Sequence, residues 1–530
     1  MILRFLRKKI PLFLLGLGLV IPTKVVAAER VILQYGQIEF YISVNSLETY
    51  AKTGKINRDL ASYTRYFSEE NLLQFRDILQ TPADLDHVTI ANFLNSVQGE
   101  IILQKLGEVI RTNANLNGFY GIRSALILAA ASPEGLTPLN VLRKFPTSEI
   151  RIASVRGLEV FNLITDTIND TSKAIAQIDA QFQLEQGNGQ KPLYPLLDNL
   201  RQGGGEAFQV KQISFRDLQR QRLLPVDLYL PEQDKAPLVL ISHGLGSDRS
   251  TFAYLAEHLA SWGFAVAVLE HPGSNSNQIK QLLGGLANQV TPPEELLDRP
   301  LDIKFLLDEL EFLYGKEVNT EQVGIIGQSF GGYTSLALAG AELNWTKLQQ
   351  ECNLNNNNFN GSLLLQCLPL QLPQQDYNLI DRRIAGAIAI NPFTSVIFGE
   401  ESLSQIDIPV MIMAGSDDSV TPALAEQIIP FTWLTSEEKY LVMMKGGTHF
   451  STLNEESGSI PVPAQVIGPN PAIAQEYVKA LSLAFFQTHI AKNDEFQTYL
   501  NANYAQYLSQ WLIPLKLVQE LELDQVQSQK

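Results

Sequence analysis

From about residue 208 onward, short and almost wholly apolar runs alternate with helical stretches, and this alternation constrains the fold more than any other feature of the chain. The runs lie at 238–242, 265–270, 323–327, 384–391, 410–414 and 440–444. A strand covered on both faces has no need of polar alternation, so these runs predict a largely parallel sheet with helices on either side. Helical apolar spacing at 251–262, 300–314, 330–340 and 472–489 supplies the covering layers. Two earlier runs, 208–215 and 224–230, alternate as an antiparallel pair would.

Two segments interrupt the rhythm. Residues 273–299 and 341–383 read as insertions on the C-terminal edge of the sheet, where open α/β sheets bind ligands. The second holds the two cysteines of the chain, Cys352 and Cys367. A disulfide between them would close a loop of about 15 residues. Neither lies in a C-x-x-C or H-E-x-x-H pattern.

Upstream the pattern changes. Residues 1–28 combine four early cations, an apolar run from Ile10 to Pro22 and the small residues Val26-Ala27-Ala28, the composition of a secretory signal. The expected destination is the periplasm or the exterior. Residues 29–185 read as a mainly helical N-terminal domain, with strand-like runs only near Val31 to Ser43 and a long helix from Val155 to Phe182. The Gly-, Gln- and Pro-rich stretch 186–206 reads as a linker to a catalytic domain at 207–515. Loss of the leader removes five cations and no acid, leaving 35 basic residues against 56 acidic, a net charge of −21. A surface of that sign disfavours nucleic acid and anionic lipid as partners.

The chemistry centres on Gly327-Gln328-Ser329-Phe330-Gly331, a G-x-S-x-G sequence that follows an apolar strand and opens a helix. A serine hydroxyl becomes a nucleophile when a base takes its proton, and the base needs a carboxylate to orient it. Downstream, in the order Ser, Asp, His, the chain offers Gly415-Ser416-Asp417-Asp418 and Gly447-Thr448-His449 after successive strands. Ser329, Asp418 and His449 are therefore the expected triad of an α/β-hydrolase fold, with Asp418 favoured over Asp417 by its spacing from Gly415 and Pro422. His243 and His271, at strand ends, are expected beside the pocket, while His87, His258 and His489 fall on helices. Acyl transfer also needs two main-chain N–H groups aimed at the developing oxyanion, and Phe330 and Leu245 occupy the positions that supply them.

Ser242-His243-Gly244-Leu245-Gly246, Arg299-Pro300 with Asp302, and Gln328-Ser329-Phe330-Gly331-Gly332 give the stretch from Phe208 to His489 a resemblance to the platelet-activating-factor acetylhydrolase and dienelactone-hydrolase-like branch of the α/β-hydrolases. The resemblance implies that Leu245 and Phe330 form the oxyanion hole. Gln328 stands where the acetylhydrolases usually carry histidine, and Ser329 where dienelactone hydrolases carry cysteine. Leu136-Thr137-Pro138-Leu139-Asn140-Val141 and Phe145-Pro146 resemble a helical domain of unknown function that precedes hydrolases in cyanobacterial exported proteins. The expected activity is hydrolysis of a small-molecule carboxylic ester, a lipid or acyl ester included, without metal or organic cofactor. A peptidase or amidase of the same fold, and a secreted binding protein that has lost activity, remain alternatives. Membrane association and oligomeric state are not legible in the sequence.

Overall fold

A computed structural model describes residues 27–523 apart from 36–37, 66, 189–198, 354–359 and 455–466. The predicted leader lies outside the described residues except for its last two positions. The chain divides into two compact units, one of residues 1–90 and 102–155, the other of 91–101 and 156–530.

The first unit is built on a four-stranded sheet of order β2-β1-β4-β3. Strands β1 (Arg30–Tyr35) and β2 (Ile38–Ser43) fall on the strand-like runs read near Val31 to Ser43 and pair antiparallel, and β1 pairs in parallel with β4 (Glu149–Ala153), which pairs antiparallel with β3 (Ile110–Arg111). Helices Val44–Thr53, Glu69–Gln80 and Phe119–Ala130 accompany it, with Leu47, Tyr50, Ala51, Leu60, Leu79 and Leu139 as a core.

The second unit holds a nine-stranded sheet in the order β13-β12-β11-β10-β9-β7-β8-β6-β5. Its strands are β5 (Phe208–Asp217), β6 (Arg222–Pro231), β7 (Ala236–Ser242), β8 (Ala265–Leu269), β9 (Val318–Gln328), β10 (Ile384–Ile390), β11 (Val410–Gly415), β12 (Lys439–Met444) and β13 (Leu515–Val518). The six predicted apolar runs are the six parallel strands, and β5 with β6 is the predicted antiparallel pair. Helices Ala253–Ala260, Glu295–Tyr314, Phe330–Ala339 and Pro471–His489 fall on the segments read as helical. After β7 the chain adds β8 on one side and β9 on the other, so the loops leaving β7 and β9 lie side by side. Such a reversal of strand order opens a crevice at the carboxyl ends of the strands.

Three boundaries differ from expectation. The units divide near residue 155 rather than 185, because the helix Ser154–Asn188 puts Ala174, Ile178 and Phe182 into the core of the second unit. Its apolar stripe was visible in the sequence, but a stripe does not name the body it packs on. The described part of the supposed linker is seated, not loose: Leu200 is buried, Gly204 N–H donates to Ser261 Oγ at 3.0 Å, and Trp262 Nε1–H donates to the Gln202 carbonyl at 2.9 Å. At the other end β13 carries the sheet beyond 515, pairing antiparallel with β12.

In the insertion 341–383, Cys352 and Cys367 are joined by a disulfide. The fully buried Glu426 anchors this segment: its carboxylate accepts from Asn360 Nδ2, from Gln366 Nε2 at 2.9 Å and from the Thr394 and Ser395 N–H groups at 2.6 and 2.9 Å. Segment 91–101 is tied to the other insertion. Val97 N–H donates to the Asn288 carbonyl at 3.0 Å, and Gln98 Oε1 accepts from Val290 N–H at 3.1 Å. Among the described residues no helix is long and apolar enough to cross a membrane.

Candidate active site

Strand β9 ends at Gln328, and the next residue, Ser329, has φ 56° and ψ −115° before the helix Phe330–Ala339 begins. That conformation is costly for a residue with a Cβ and persists only where the surroundings enforce it. The flanking glycines explain how the turn closes. A Cβ on Gly327 would lie 2.1 Å from the Gly331 carbonyl oxygen, and one on Gly331 would lie 1.9 Å from that of Ser242. Both contacts are impossible for any other residue, which gives G-x-S-x-G its steric meaning here.

Asp418 and His449 meet as expected. His449 Nδ1 lies 2.7 Å from Asp418 Oδ2, whose carboxylate also accepts from Thr421 Oγ1 at 2.9 Å and from the Val420 and Thr421 N–H groups at 2.8 and 2.7 Å. A carboxylate held in this way keeps the proton of the imidazole on Nδ1 and leaves Nε2 as the acceptor. Asp417 is exposed, with its carboxylate turned to its neighbour Ser416 Oγ at 2.7 Å. Asp418, Ser329 and His449 are each about 5–6% exposed.

The serine and histidine loops are tied by residues that sequence reasoning did not single out for this purpose. Gln328 Nε2–H donates to the main-chain oxygen of His449 at 3.1 Å. Asn391, at the end of β10 with φ 44°, accepts from Gly415 N–H at 3.0 Å and donates to the Thr448 carbonyl at 3.3 Å, joining the loops that carry Asp418 and His449. Thr421 Oγ1 donates to Asp418 and lies 3.2 Å from His449 Nδ1. An isolated Asn or Thr carries no periodic signal; the positive φ at Asn391 was its one structural mark.

The loop leaving β7 runs against the serine. A Cβ on Gly244 would sit 2.4 Å from Gln328 Oε1 and 3.5 Å from Ser329 Cβ. Gly246 N–H donates to the Ser274 carbonyl at 2.8 Å, fixing the far side of Leu245. Phe330, the first residue of its helix, has an N–H without an intrahelical acceptor, as all first-turn residues do. Leu245 and Phe330 thus follow two adjacent strands, β7 and β9, whose loops meet at Gly244 and Ser329.

His243 and His271 lie at the ends of β7 and β8, as expected, but present no surface to a pocket. Both are fully buried beneath the loop, where burial first and the Arg299 charge second hold them well below the usual imidazole range. Burial also lowers the Arg299 guanidinium, to about 9, against the raising influence of Glu295 and Asp302. His87 is exposed on its helix, and His258 and His489 are packed. A cavity of about 380 Å³, lined by Gln233, Lys235, Trp262, Asn319 and Gln487 among others, opens at the opposite edge of the sheet, where β7 and β9 begin.

A family described as "Alpha/beta hydrolase of unknown function (DUF1400)" matches residues 27–153, and one described as "Platelet-activating factor acetylhydrolase, isoform II" matches residues 225–289. A platelet-activating factor acetylhydrolase of Cavia porcellus is 21% identical over 302 residues, which cover 50% of this chain and 59% of that protein. The fold is that of an α/β-hydrolase, similar over part of its length to platelet-activating-factor acetylhydrolases. Within the hydrolase, the acetylhydrolase match spans β6 through β8 and so contains His243 to Gly246, while Ser329 lies beyond it. The first match falls almost wholly on the first compact unit.

Proposed function

We propose that this hydrolase is an exported serine carboxylesterase, lipase-like in chemistry, with Ser329 as nucleophile, His449 as base and Asp418 as the acid that orients it. The observation that carries the reading is the bond of 2.7 Å between His449 Nδ1 and Asp418, on a histidine tethered through its own carbonyl to the residue before a strained serine.

In the first half-reaction Ser329 Oγ attacks the ester carbonyl carbon while its proton passes to His449 Nε2. The carbonyl oxygen gains the negative charge and takes hydrogen bonds from the Leu245 and Phe330 N–H groups. Collapse of the adduct breaks the bond to the alkoxy group, which leaves as the alcohol with the proton from His449. In the second half-reaction water gives a proton to His449 and attacks the acyl-enzyme, releasing the carboxylic acid and restoring Ser329. The Asp418 charge stabilises the imidazolium formed in both halves. The name of the guinea-pig relative supports an ester of a small acyl group on a lipid-like alcohol as the first substrate to try.

Labelling with a fluorophosphonate tests the reading. The wild-type protein should be labelled and Ser329→Ala should not; equal labelling of both would overturn it. A panel of p-nitrophenyl esters graded by acyl length, run beside the matching anilides, then separates an esterase from an amidase. Export is tested by sequencing the N-terminus of the protein recovered outside the cytoplasm, which should begin at Glu29.

A further inference from the structure

Below the loop that carries Leu245 lies a second Ser–His–Asp arrangement. Ser242 Oγ is 3.0 Å from His271 Nε2, and His271 Nδ1 is 3.0 Å from Asp302 Oδ2. All three are fully buried, so no substrate reaches them. Their proton positions are fixed by the neighbours. His271 gives its Nδ1 proton to the carboxylate and accepts from Ser242. His243 Nε2 accepts from the His271 main-chain N–H at 3.0 Å, so its own proton is on Nδ1 and goes to the Gly244 carbonyl at 2.7 Å. Both imidazoles are therefore neutral, and the cation at this point is Arg299.

Every donor group of Arg299 is directed at an element of the oxyanion hole or its support. Nη2–H reaches the His243 carbonyl and Ser242 Oγ, the latter at 3.1 Å, two and three residues before Leu245. Nη1–H donates to Ser274 Oγ at 2.6 Å, and the carbonyl of Ser274 holds Gly246 N–H, just after Leu245. Nε–H donates to Thr334 Oγ1 at 3.1 Å, and that hydroxyl donates to the Phe330 carbonyl at 2.9 Å. The guanidinium also lies 4.4 Å from the centre of the Phe330 ring. One planar, fully buried side chain thus holds the residues on either side of Leu245 and, through Thr334 and the ring contact, Phe330, although the two assigned oxyanion donors follow different strands.

The charge is supported from behind. Arg299 lies on the helix Glu295–Tyr314, where Asp302 and Glu295 bond Arg222 at 2.7 and 2.6 Å and Glu295 also accepts from Ser274 Oγ at 2.7 Å. Buried ion networks of this kind are poor stabilisers compared with apolar packing, so a geometric role accounts for one better than a stability role does.

We propose that Arg299 is a positioning residue for the oxyanion hole, locking the Leu245 loop to the Phe330 helix so that both N–H groups converge on one point above Ser329. The inference rests on the serine-hydrolase reading above. It makes transition-state stabilisation, and not substrate binding, the property that depends on Arg299.

The test compares wild type, Arg299→Lys and Thr334→Val with p-nitrophenyl acetate, counting active sites by fluorophosphonate titration so that misfolded protein drops out. Lysine keeps the charge but lacks the planar fork, so Arg299→Lys should lose about a hundredfold in kcat per titrated site with KM within about threefold. Thr334→Val removes only the link to Phe330 and should lose roughly five- to tenfold in kcat, again at near-constant KM. Wild-type kcat per titrated site in both variants overturns the proposal, as does a rise in KM alone. If Arg299→Lys does not fold, Thr334→Val and Ser242→Ala decide by the same criterion. Failure of wild type to label, or labelling of Ser329→Ala, is the separate failure of the serine-hydrolase reading.

Discussion

Gln328 and His449 are joined directly: the side-chain amide of the residue before the serine donates to the main-chain oxygen of the histidine at 3.1 Å. Two loops from different strands are thereby held at a set spacing by a bond that involves neither reacting group. Gln328→Ala should lower kcat roughly five- to tenfold, the worth of one buried hydrogen bond, with little change in KM. Gln328→His, which restores a donor of similar reach, should recover most of the loss. Steady-state kinetics on a single ester measures both.

The two adjacent aspartates should behave very differently. Asp418→Asn keeps the shape but removes the carboxylate that fixes the tautomer of His449, and about a 10⁴-fold fall in kcat is expected. Asp417, exposed and bonded to Ser416, should tolerate Asn with less than about a threefold effect. A pair of point variants assayed side by side decides between them.

Stability should fall on acidification through a route separate from catalysis. Burial holds His258 and His489 at about 4, against an ordinary 6.5, and the buried Nε2 of His258 has no hydrogen-bond partner among the described residues. Because the folded values lie below the unfolded ones, the unfolded chain binds more protons between the two, and stability is lost as pH falls from 6.5 towards 4. The loss is about 1 kcal/mol per histidine between roughly pH 7 and pH 5.5. Thermal melts across that range should show a falling Tm, with a shallower slope for His258→Gln.

The disulfide insertion offers a stability test. Cys352→Ser with Cys367→Ser should cost about 3 kcal/mol on chain-entropy grounds. Glu426→Gln sets an amide N–H₂ against groups that already donate, among them the Thr394 and Ser395 N–H, and should cost about 2–4 kcal/mol. Urea melts of the two variants read both effects.

What the sequence made legible follows from what leaves a periodic or ordered trace. The six parallel strands were visible because burial on both faces strips them of polar residues, and Ser329, Asp418 and His449 were legible as a Ser, Asp, His order at the ends of β9, β11 and β12. Strand β3 was missed because it is only two residues long, and β4 because its parallel partner β1 lies more than a hundred residues away. The helix from Ser154 was assigned to the wrong unit for want of any mark of its partner. Arg299, Asn391 and Glu426 are single buried polar residues whose importance lies in the atoms around them, and a linear reading offers no such neighbourhood. Arg299 was noticed only as part of a family resemblance, without a role.

The reversal of strand order at β7 has a consequence for assembly. Ser242 and Gly327 are register partners on β7 and β9, yet the whole of β8 and the first insertion intervene between them in the chain. Contacts so distant in sequence form late, after local helices have appeared, because closing the intervening length costs entropy that only the finished sheet repays. With Ser329 as the proposed nucleophile, its reactivity gauges completed refolding: after dilution from denaturant, the return of probe labelling should trail the return of helical signal, since the corner between the β7 and β9 loops does not exist until its two halves have met.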